Sequence, residues 1–262
     1  MTFFGKIAMV ALAALAVSAH ATTARADDNL LKTIKDRGKM RVCYAEYAPW
    51  NIKNPATNKW EGVNIEIVDL IAKQLKVEVE DVDATFGTAI PSMNAQKCDF
   101  IGAAFYISPA RAELISYTRP FATDGTTTFV TAASSAKTLA ELDQPGKLIA
   151  VRSGSYEEPI AKRLFTKAQV KTLTADAGAI QLLEIAAGRA DGALGSLYGN
   201  LNFLKNNPNM KVRLLNDELL SRQSIAFAVP AREYFFRDYL STALLTMEEN
   251  GQIKQIVDKW FK

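Results

Sequence analysis

Apolar positions along this chain follow two alternating rhythms. One has a period near 3.6, expected of a helix with one buried face; the other is a short continuous or alternating apolar run, expected of a strand. NLLKTIKDR (residues 29–37) places Leu30, Leu31 and Ile34 on one side of a short helix that Gly38 closes. KMRVCYA (39–45) reads as a strand, IEIVDLIAKQL (65–75) as a helix, and VEVEDV (77–82) as an alternating strand. Residues 88–96 form a helix with Pro91 near its first turn. DFIGAAF (99–105) is a buried strand, after which Ser108 is placed to cap a helix opening with Pro109.

The rhythm then repeats. Strands are expected at 126–133, 147–154, 170–175, 189–196 and 224–230, with helices at LAEL (139–142), to about 164, over 177–188 and through 203. The chain ends in helices at 233–249 and 251–261. Two similar βαβαβ sets emerge, at 39–122 and 147–225, joined by extended crossings at 123–132 and 222–229. Such units build mainly parallel sheets with helices on both faces. Ligands of these sheets lie beyond the carboxyl ends of the strands. The loops to inspect are therefore 46–50, 83–88, 105–111, 153–156 and 195–198.

The first 26 residues change how composition is read. Lys6, an apolar run from Ile7 to Val17 and the Ala24-Arg25-Ala26 triplet read as a secretory signal cleaved before Asp27, with cleavage after Ala21 a second option. This leader holds Lys6, Arg25 and no acid. Of 31 basic and 28 acidic side chains, 29 and 28 remain, so no basic nucleic-acid footprint is left. The single histidine, His20, also goes, which excludes His-based triads and zinc sites. Neither a metal nor a cofactor is expected, and no phosphate-cradling glycine motif occurs. Cys43 and Cys98 sit in or beside strands and lack C-x-x-C spacing. In an oxidising compartment they are either a disulfide or two buried thiols, and only geometry decides.

Several side chains fall in the inspected loops. Arg111 lies in the first turn after Pro109, where a bound carboxylate could use both its guanidinium and free helix amides; a surface pair with Glu113 is the plain alternative. Tyr47, Trp50, Phe86, Phe105 and Tyr106 occupy strand ends, where they either pack or line a pocket with ring faces for a cationic nitrogen. SGSYEEP sets Gly154, Ser155 and Tyr156 at a strand-to-helix turn. Ser155 there is either a helix cap or an anion contact. Ser196 and Tyr198 end the strand of RADGALGSLY and are neutral.

The stretch EGVNIEIVDLIAKQLKVEVEDV, followed by AIPSMNAQKCDFIGAAFYISPARAELISYTRPF, carries a resemblance. Gly62, Asn64, Glu66, Ile90, Pro91, Asp99, Ile107, Pro109, Arg111, Pro120 and Phe121 match the pattern of a family, and GRADGAL resembles its second-half motif. The chain resembles extracellular solute-binding proteins of bacterial ABC transporters, the polar amino acid-binding family with the type II periplasmic binding protein fold. That resemblance implies two α/β lobes, each a mainly parallel sheet flanked by helices, joined by two hinge crossings. Lobe 1 would comprise residues 27–124 and 228–262, and lobe 2 residues 125–227. It implies a periplasmic monomer that closes on a small-molecule ligand and meets a membrane permease.

It also implies that Arg111 grips the ligand's carboxylate. Three positions depart from the pattern: Tyr106 stands where Thr or Ser is usual, Ser196 where an acid often meets the ligand's ammonium, and Tyr156 where a hydroxyl of a G-T-T turn is expected. Tyr106, Trp50 and Phe86 could then surround a methylated or ring-embedded cationic nitrogen, as in betaines or ectoines. The expected ligand set is Arg111, Tyr106, Trp50, Phe86, Tyr47, Ser155, Tyr156, Ser196 and Tyr198. The alternative is a periplasmic cyclohexadienyl or arogenate dehydratase of the same fold, for which only Glu46, Asp83 and Glu157 offer loop carboxylates.

Overall fold

The structure, a computed structural model, describes residues 29–174 and 179–261. The signal segment lies outside the described residues. In chain order the first elements are α1 (Leu30–Arg37), β1 (Lys39–Tyr44), β2 (Ile52–Lys53), β3 (Trp60–Glu61), α2 (Val63–Leu75), β4 (Glu78–Asp83), α3 (Ala89–Asn94), β5 (Phe100–Tyr106), α4 (Pro109–Ala112), β6 (Ile115–Tyr117) and β7 (Ala122–Thr131). They continue as α5 (Leu139–Leu142), β8 (Leu148–Arg152), α6 (Glu157–Leu164), β9 (Gln169–Leu173), α7 (Ile180–Ala186), β10 (Gly192–Ser196), α8 (Leu197–Asn206), β11 (Val212–Leu214), β12 (Ser221–Pro230), α9 (Tyr234–Glu249) and α10 (Gln252–Trp260).

The fold is two-lobed α/β. Along one hydrogen-bonded path the strands run β4-β1-β5-β12-β7-β10-β8-β9, with β6 added to β12 and β11 to β7. In lobe 1, β4, β1 and β5 are parallel; in lobe 2, β10, β8 and β9 are parallel. Between them β7 and β12 pair antiparallel, from Ile225 opposite Ala122 to Ser221 opposite Thr126. The crossings are thus strands and not bare linkers, because side by side they satisfy each other's backbone groups. The strand expected at 126–133 accordingly starts earlier, at Ala122. β2, β3, β6 and β11 are too short for any periodicity to announce them. The first residues of the helix expected from 177 fall partly outside the described residues.

Local chemistry accounts for the element ends. Asn29 caps α1 by accepting from the Lys32 amide, and Gly38 closes it in the left-handed region at φ 67°. Gly62 opens α2 at φ 126°, and a Cβ there would sit 2.7 Å from the carbonyl oxygens of both Pro49 and Trp50. Only glycine permits that approach. Asn64, fully buried, donates to Asn51 Oδ1, and Asn51 donates to the Gly102 carbonyl, tying α2 to β5 through two amides. Glu66 accepts from Lys259 and from the indole of Trp260, anchoring α10. Much of the motif around Gly62 therefore builds lobe 1 and lies away from the cleft.

Every residue of β5 is buried. On one face of the lobe 1 sheet pack Ile67, Val68 and Ile71 of α2 with Phe236, Leu240, Leu244 and Met247 of α9. Each such side chain contributes about 1.5–3 kcal/mol of burial. The other face holds α3 and a disulfide between Cys43 and Cys98, with Cα atoms 5.6 Å apart. Of the two readings left open for these cysteines, the bonded one is realised. Both lobes begin their third strand alike. Asp99 accepts from the Arg41 amide and donates its own amide to the Arg41 carbonyl; Asp191 does the same with Leu148.

Candidate functional site

The lobe 1 wall of the cleft is made by strand ends. Tyr47 follows β1, Phe86 follows β4, Tyr106 ends β5, and Arg111 sits in α4, whose cap Ser108 accepts from the Arg111 amide. The guanidinium of Arg111 lies 4.1 Å from the centroid of Phe105, and Nη1 donates to the Tyr106 carbonyl at 3.1 Å. Phe86 stacks on Phe105, with centroids 6.1 Å apart and 13° between planes. Stacking and one carbonyl bond hold the cation in place before any ligand arrives. Burial pushes the Arg111 pKa down, opposed by Tyr117 and Glu157, and the group stays charged.

Tyrosines close this wall through a hydrogen-bonded chain. The Tyr47 and Tyr106 hydroxyls are 2.9 Å apart, and Tyr47 donates to Asp124 Oδ2 at 2.6 Å. Asp124 Oδ1 accepts the amides of Gly125 and Tyr198, so this buried hinge carboxylate is fully engaged by both lobes. Burial raises the pKa of both tyrosines, and both remain neutral donors.

The lobe 2 wall comes from the ends of β8 and β10 and the first turns of α6 and α7. Arg152 lies 5.6 Å from the Phe86 centroid and donates to the Glu46 carbonyl at 2.7 Å. In return Arg111 Nη2 donates to the Gly154 carbonyl at 2.9 Å. Each lobe thus sends an arginine to a backbone oxygen of the other. Between these bonds the backbones of Gly87 and Gly154 meet so closely that a Cβ on Gly154 would stand 2.4 Å from Gly87 Cα. Tyr156 meets Tyr106 edge to face at 5.8 Å. The lobes are closed on a cavity of about 30 Å³ lined by both.

Glu157 is the cavity's buried carboxylate, 7% exposed, with its pKa pushed up by burial and only partly drawn back by its own amide, Ser155 and Arg152. Gln181 lines the same wall. Its Nε2 donates to Asn200 Oδ1 at 3.2 Å, and its buried Oε1 receives no donor. The Ser196 hydroxyl oxygen accepts from the Gly199 amide as the cap of α8 and also meets the Tyr106 hydroxyl. Among the described residues no group of three His, Cys, Asp or Glu side chains could hold a metal ion. The site offers two fixed cations, Arg111 and Arg152, aromatic walls and one buried acid, which suits holding a small charged solute.

Residues 40–262 match the family model described as bacterial extracellular solute-binding proteins, family 3. The chain belongs to that family. Among its relatives is ABC transporter arginine-binding protein 1 of Escherichia coli (strain K12), 25% identical over 79% of this chain and 84% of the relative. Among solved structures, a mutant of ArgBP from T. maritima superposes with a TM-score of 0.81 at 23% identity, covering 88% of this chain and 99% of that one. An ancestral amino acid-binding protein described as a precursor of cyclohexadienyl dehydratase superposes at 0.79 with 25% identity, covering 89% and 100%. The chain is a binding protein in lineage and not an enzyme.

Of the ligand residues expected for this solute-binding protein, Arg111, Tyr106, Phe86, Tyr47, Ser155, Tyr156 and Ser196 line one cavity. Arg111 makes no pair with Glu113 among the described ion pairs; it turns inward instead. Two expectations are corrected. Trp50 lies elsewhere, because Tyr47 and Asn51 exchange two backbone bonds and reverse the chain between them. It is 2% exposed and packs edge-on against Phe261. Tyr198 is 47% exposed and faces a separate surface groove shared with Trp50 and Phe261. One helical residue beyond Ser196 and Leu197, it has rotated off the cleft side.

Arg152, Glu157 and Gln181 were not among the expected ligand residues. Glu157 had a readable signal. It is three and four residues before Ile160 and Ala161, the buried face of α6, so helical phase turns it inward. Its neighbour Glu158 takes the ordinary role, accepting from the Gly154 amide and Lys162.

Proposed function

We propose that this chain is the periplasmic solute-binding component of an ABC importer, exported by a leader cleaved after Ala26. It clasps a small carboxylate-bearing solute, an amino acid or a derivative such as a betaine or ectoine, between lobes comprising 27–124 with 228–262 and 125–227. Arg111 carries the reading. Its guanidinium is held over Phe105, spends one donor on each of the Tyr106 and Gly154 carbonyls, and has further N–H groups for a carboxylate in the cavity. Tyr47, Tyr106, Phe86 and Tyr156 enclose the apolar part of the solute, with Ser155 and Ser196 beside it. Because Arg111 and Arg152 each cross the cleft, ligand contact with both walls favours the closed population. A membrane permease then recognises the closed monomer. The relative named for arginine binding in an ABC transporter supports this class of solute.

Titration calorimetry with amino acids, betaines and ectoines tests the reading. At least one carboxylate is expected to bind, and Arg111→Ala is expected to weaken it at least about 100-fold, the usual cost of truncating a buried charged partner. Unchanged binding by Arg111→Ala overturns the clamp. As a control, prephenate and arogenate incubated with the protein are expected to yield no aromatic product.

A further inference from the structure

We propose that Arg152 is an interlobe latch, which together with Arg111 holds the lobes shut in a form too narrow for the solute. The solute is admitted only after this latch opens, and the form that clasps it is wider than the latched one. Arg152 is a positioning residue in this device, because it acts on the spacing of the lobes.

The contacts across the cleft satisfy one another. From the end of β8, Arg152 Nη1 donates to the Glu46 carbonyl of lobe 1 at 2.7 Å, and its guanidinium lies 5.6 Å from the Phe86 centroid of the same lobe. Arg111 Nη2 donates the other way, to the Gly154 carbonyl at 2.9 Å. Tyr106 of lobe 1 meets Tyr156 of lobe 2 edge to face. Two glycines let the lobes come this near. A Cβ on Gly154 would stand 2.4 Å from Gly87 Cα, and one on Gly199, in α8, would stand 2.5 Å from the Tyr47 ring. The Tyr47 hydroxyl in turn donates to Asp124, which also accepts the Tyr198 amide of lobe 2.

These contacts leave a cavity of about 30 Å³, room for about two waters. A solute with a carboxylate and a second polar group does not enter it. Opening therefore precedes binding, and the apparent affinity is reduced by the fraction of molecules that are unlatched.

The acceptors explain how the latch yields. Both are backbone carbonyls, neutral partners for a charged donor, whereas a carboxylate meets a guanidinium with opposite charge and two parallel bonds. On the clamp proposed above, the solute's carboxylate takes Arg111 from the Gly154 carbonyl and so releases half of the latch. Closure around the solute is then a second arrangement, stabilised by what the solute pairs.

The test needs no solute. The mature chain is freed of bound compounds by unfolding and refolding, then measured by small-angle X-ray scattering. The wild type is expected to fit the closed structure. Arg152→Met keeps the apolar stem and removes the donors; it is expected to raise the radius of gyration by about 1 Å while the chain stays folded by circular dichroism. Arg152→Lys, which keeps a charged donor, is expected to recover part of the closure. Gly199→Ala wedges the lobes apart at Tyr47 and is expected to open the chain as Arg152→Met does. Gly87→Ala is expected to stay closed, because a Cβ there has no neighbour nearer than 3.7 Å. A solute-free wild type that scatters as the opened form overturns the latch, and so does a folded Arg152→Met that scatters as the wild type. If Arg152→Met does not fold, Gly199→Ala decides: an opened chain supports the latched form and a closed one overturns it. The clamp is judged separately, since Arg111→Ala can leave calorimetric binding unchanged while the latch holds, and the latch can fail with the clamp intact.

Discussion

Asp99 in lobe 1 and Asp191 in lobe 2 stand at the same place in two copies of one strand–helix–strand unit, and their surroundings differ. The Asp99 side chain is 1% exposed and takes Arg37 and Arg41 in addition to the Arg41 amide. The Asp191 side chain is 34% exposed and takes Lys147 alone besides the Leu148 amide. Next to Asp99 the Cys43–Cys98 disulfide staples β1 to the start of β5, and lobe 2 has no counterpart among its described residues. The same division recurs at the cleft. Lobe 1 presents Tyr47, Tyr106 and Arg111 already hydrogen-bonded, whereas lobe 2 presents Gln181 Oε1, a buried acceptor with no donor. On the proposed function, lobe 1 is pre-set to receive the solute's carboxylate. On the same proposal, lobe 2 leaves an acceptor for the solute to pair, a physical reason for closure around the solute to depend on it.

Removing the staple is the largest test of that asymmetry. The disulfide spans 55 residues of sequence, and loop closure of that size constrains the unfolded chain by about 4 kcal/mol. Cys43→Ser with Cys98→Ser is expected to lower Tm by roughly 10 °C. Amide hydrogen exchange should show the added opening in β1 and β5 and leave β8 and β10 near their former protection. Equal loss of protection in both lobes would mean that they unfold as one unit and that the staple does not distinguish them.

The two aspartates give a matched pair of smaller effects. Asp99→Ala strands a buried backbone amide and two arginines and is expected to cost about 3 kcal/mol. Asp191→Ala, on a more solvated site with one lysine, should cost about 1 kcal/mol. Urea unfolding of both variants measures the difference. Equal costs would show that the backbone clamp dominates and that the extra arginines of lobe 1 add nothing.

Hydrophobic rhythm carried the repeated strand–helix units and the two crossings, because burial on both faces of a parallel sheet writes long apolar runs. It could not show that the crossings pair with each other, since Ala122 to Thr126 and Ser221 to Ile225 are mixed in polarity and long-range pairing leaves no local trace. At the site, sheet-end geometry singled out Tyr47, Phe86, Tyr106 and Arg111. The same rule also admitted Trp50 and Tyr198, because it locates a loop but not the turn within it. Glu157 was passed over for the opposite reason: an acid in a first helical turn is ordinary, and only its phase against Ile160 and Ala161 shows that it is buried. The cysteine pair required the register of Cys43 opposite Ile101, which spacing alone does not give.

The smallest predicted effect concerns how lobe 2 is held without a staple. Glu184 accepts from Arg189 and Lys171, and these hydrogen bonds bring its pKa from 4.5 down to about 2. A depressed carboxylate stabilises the fold above its unfolded value, and that contribution disappears as pH falls from about 4.5 through about 2. Its partners are 41% and 58% exposed, so solvent and salt screen much of the interaction. Glu184→Gln is therefore expected to lower Tm by only about 3 °C at neutral pH. The gap should close as the pH is brought to 2 and should shrink in high salt. A gap that persists at pH 2 would assign the loss to packing around α7 and not to charge. Lobe 2 would then be secured by contacts as insensitive to pH as the disulfide of lobe 1, and the contrast between a stapled lobe and an electrostatically held one would lose its second half.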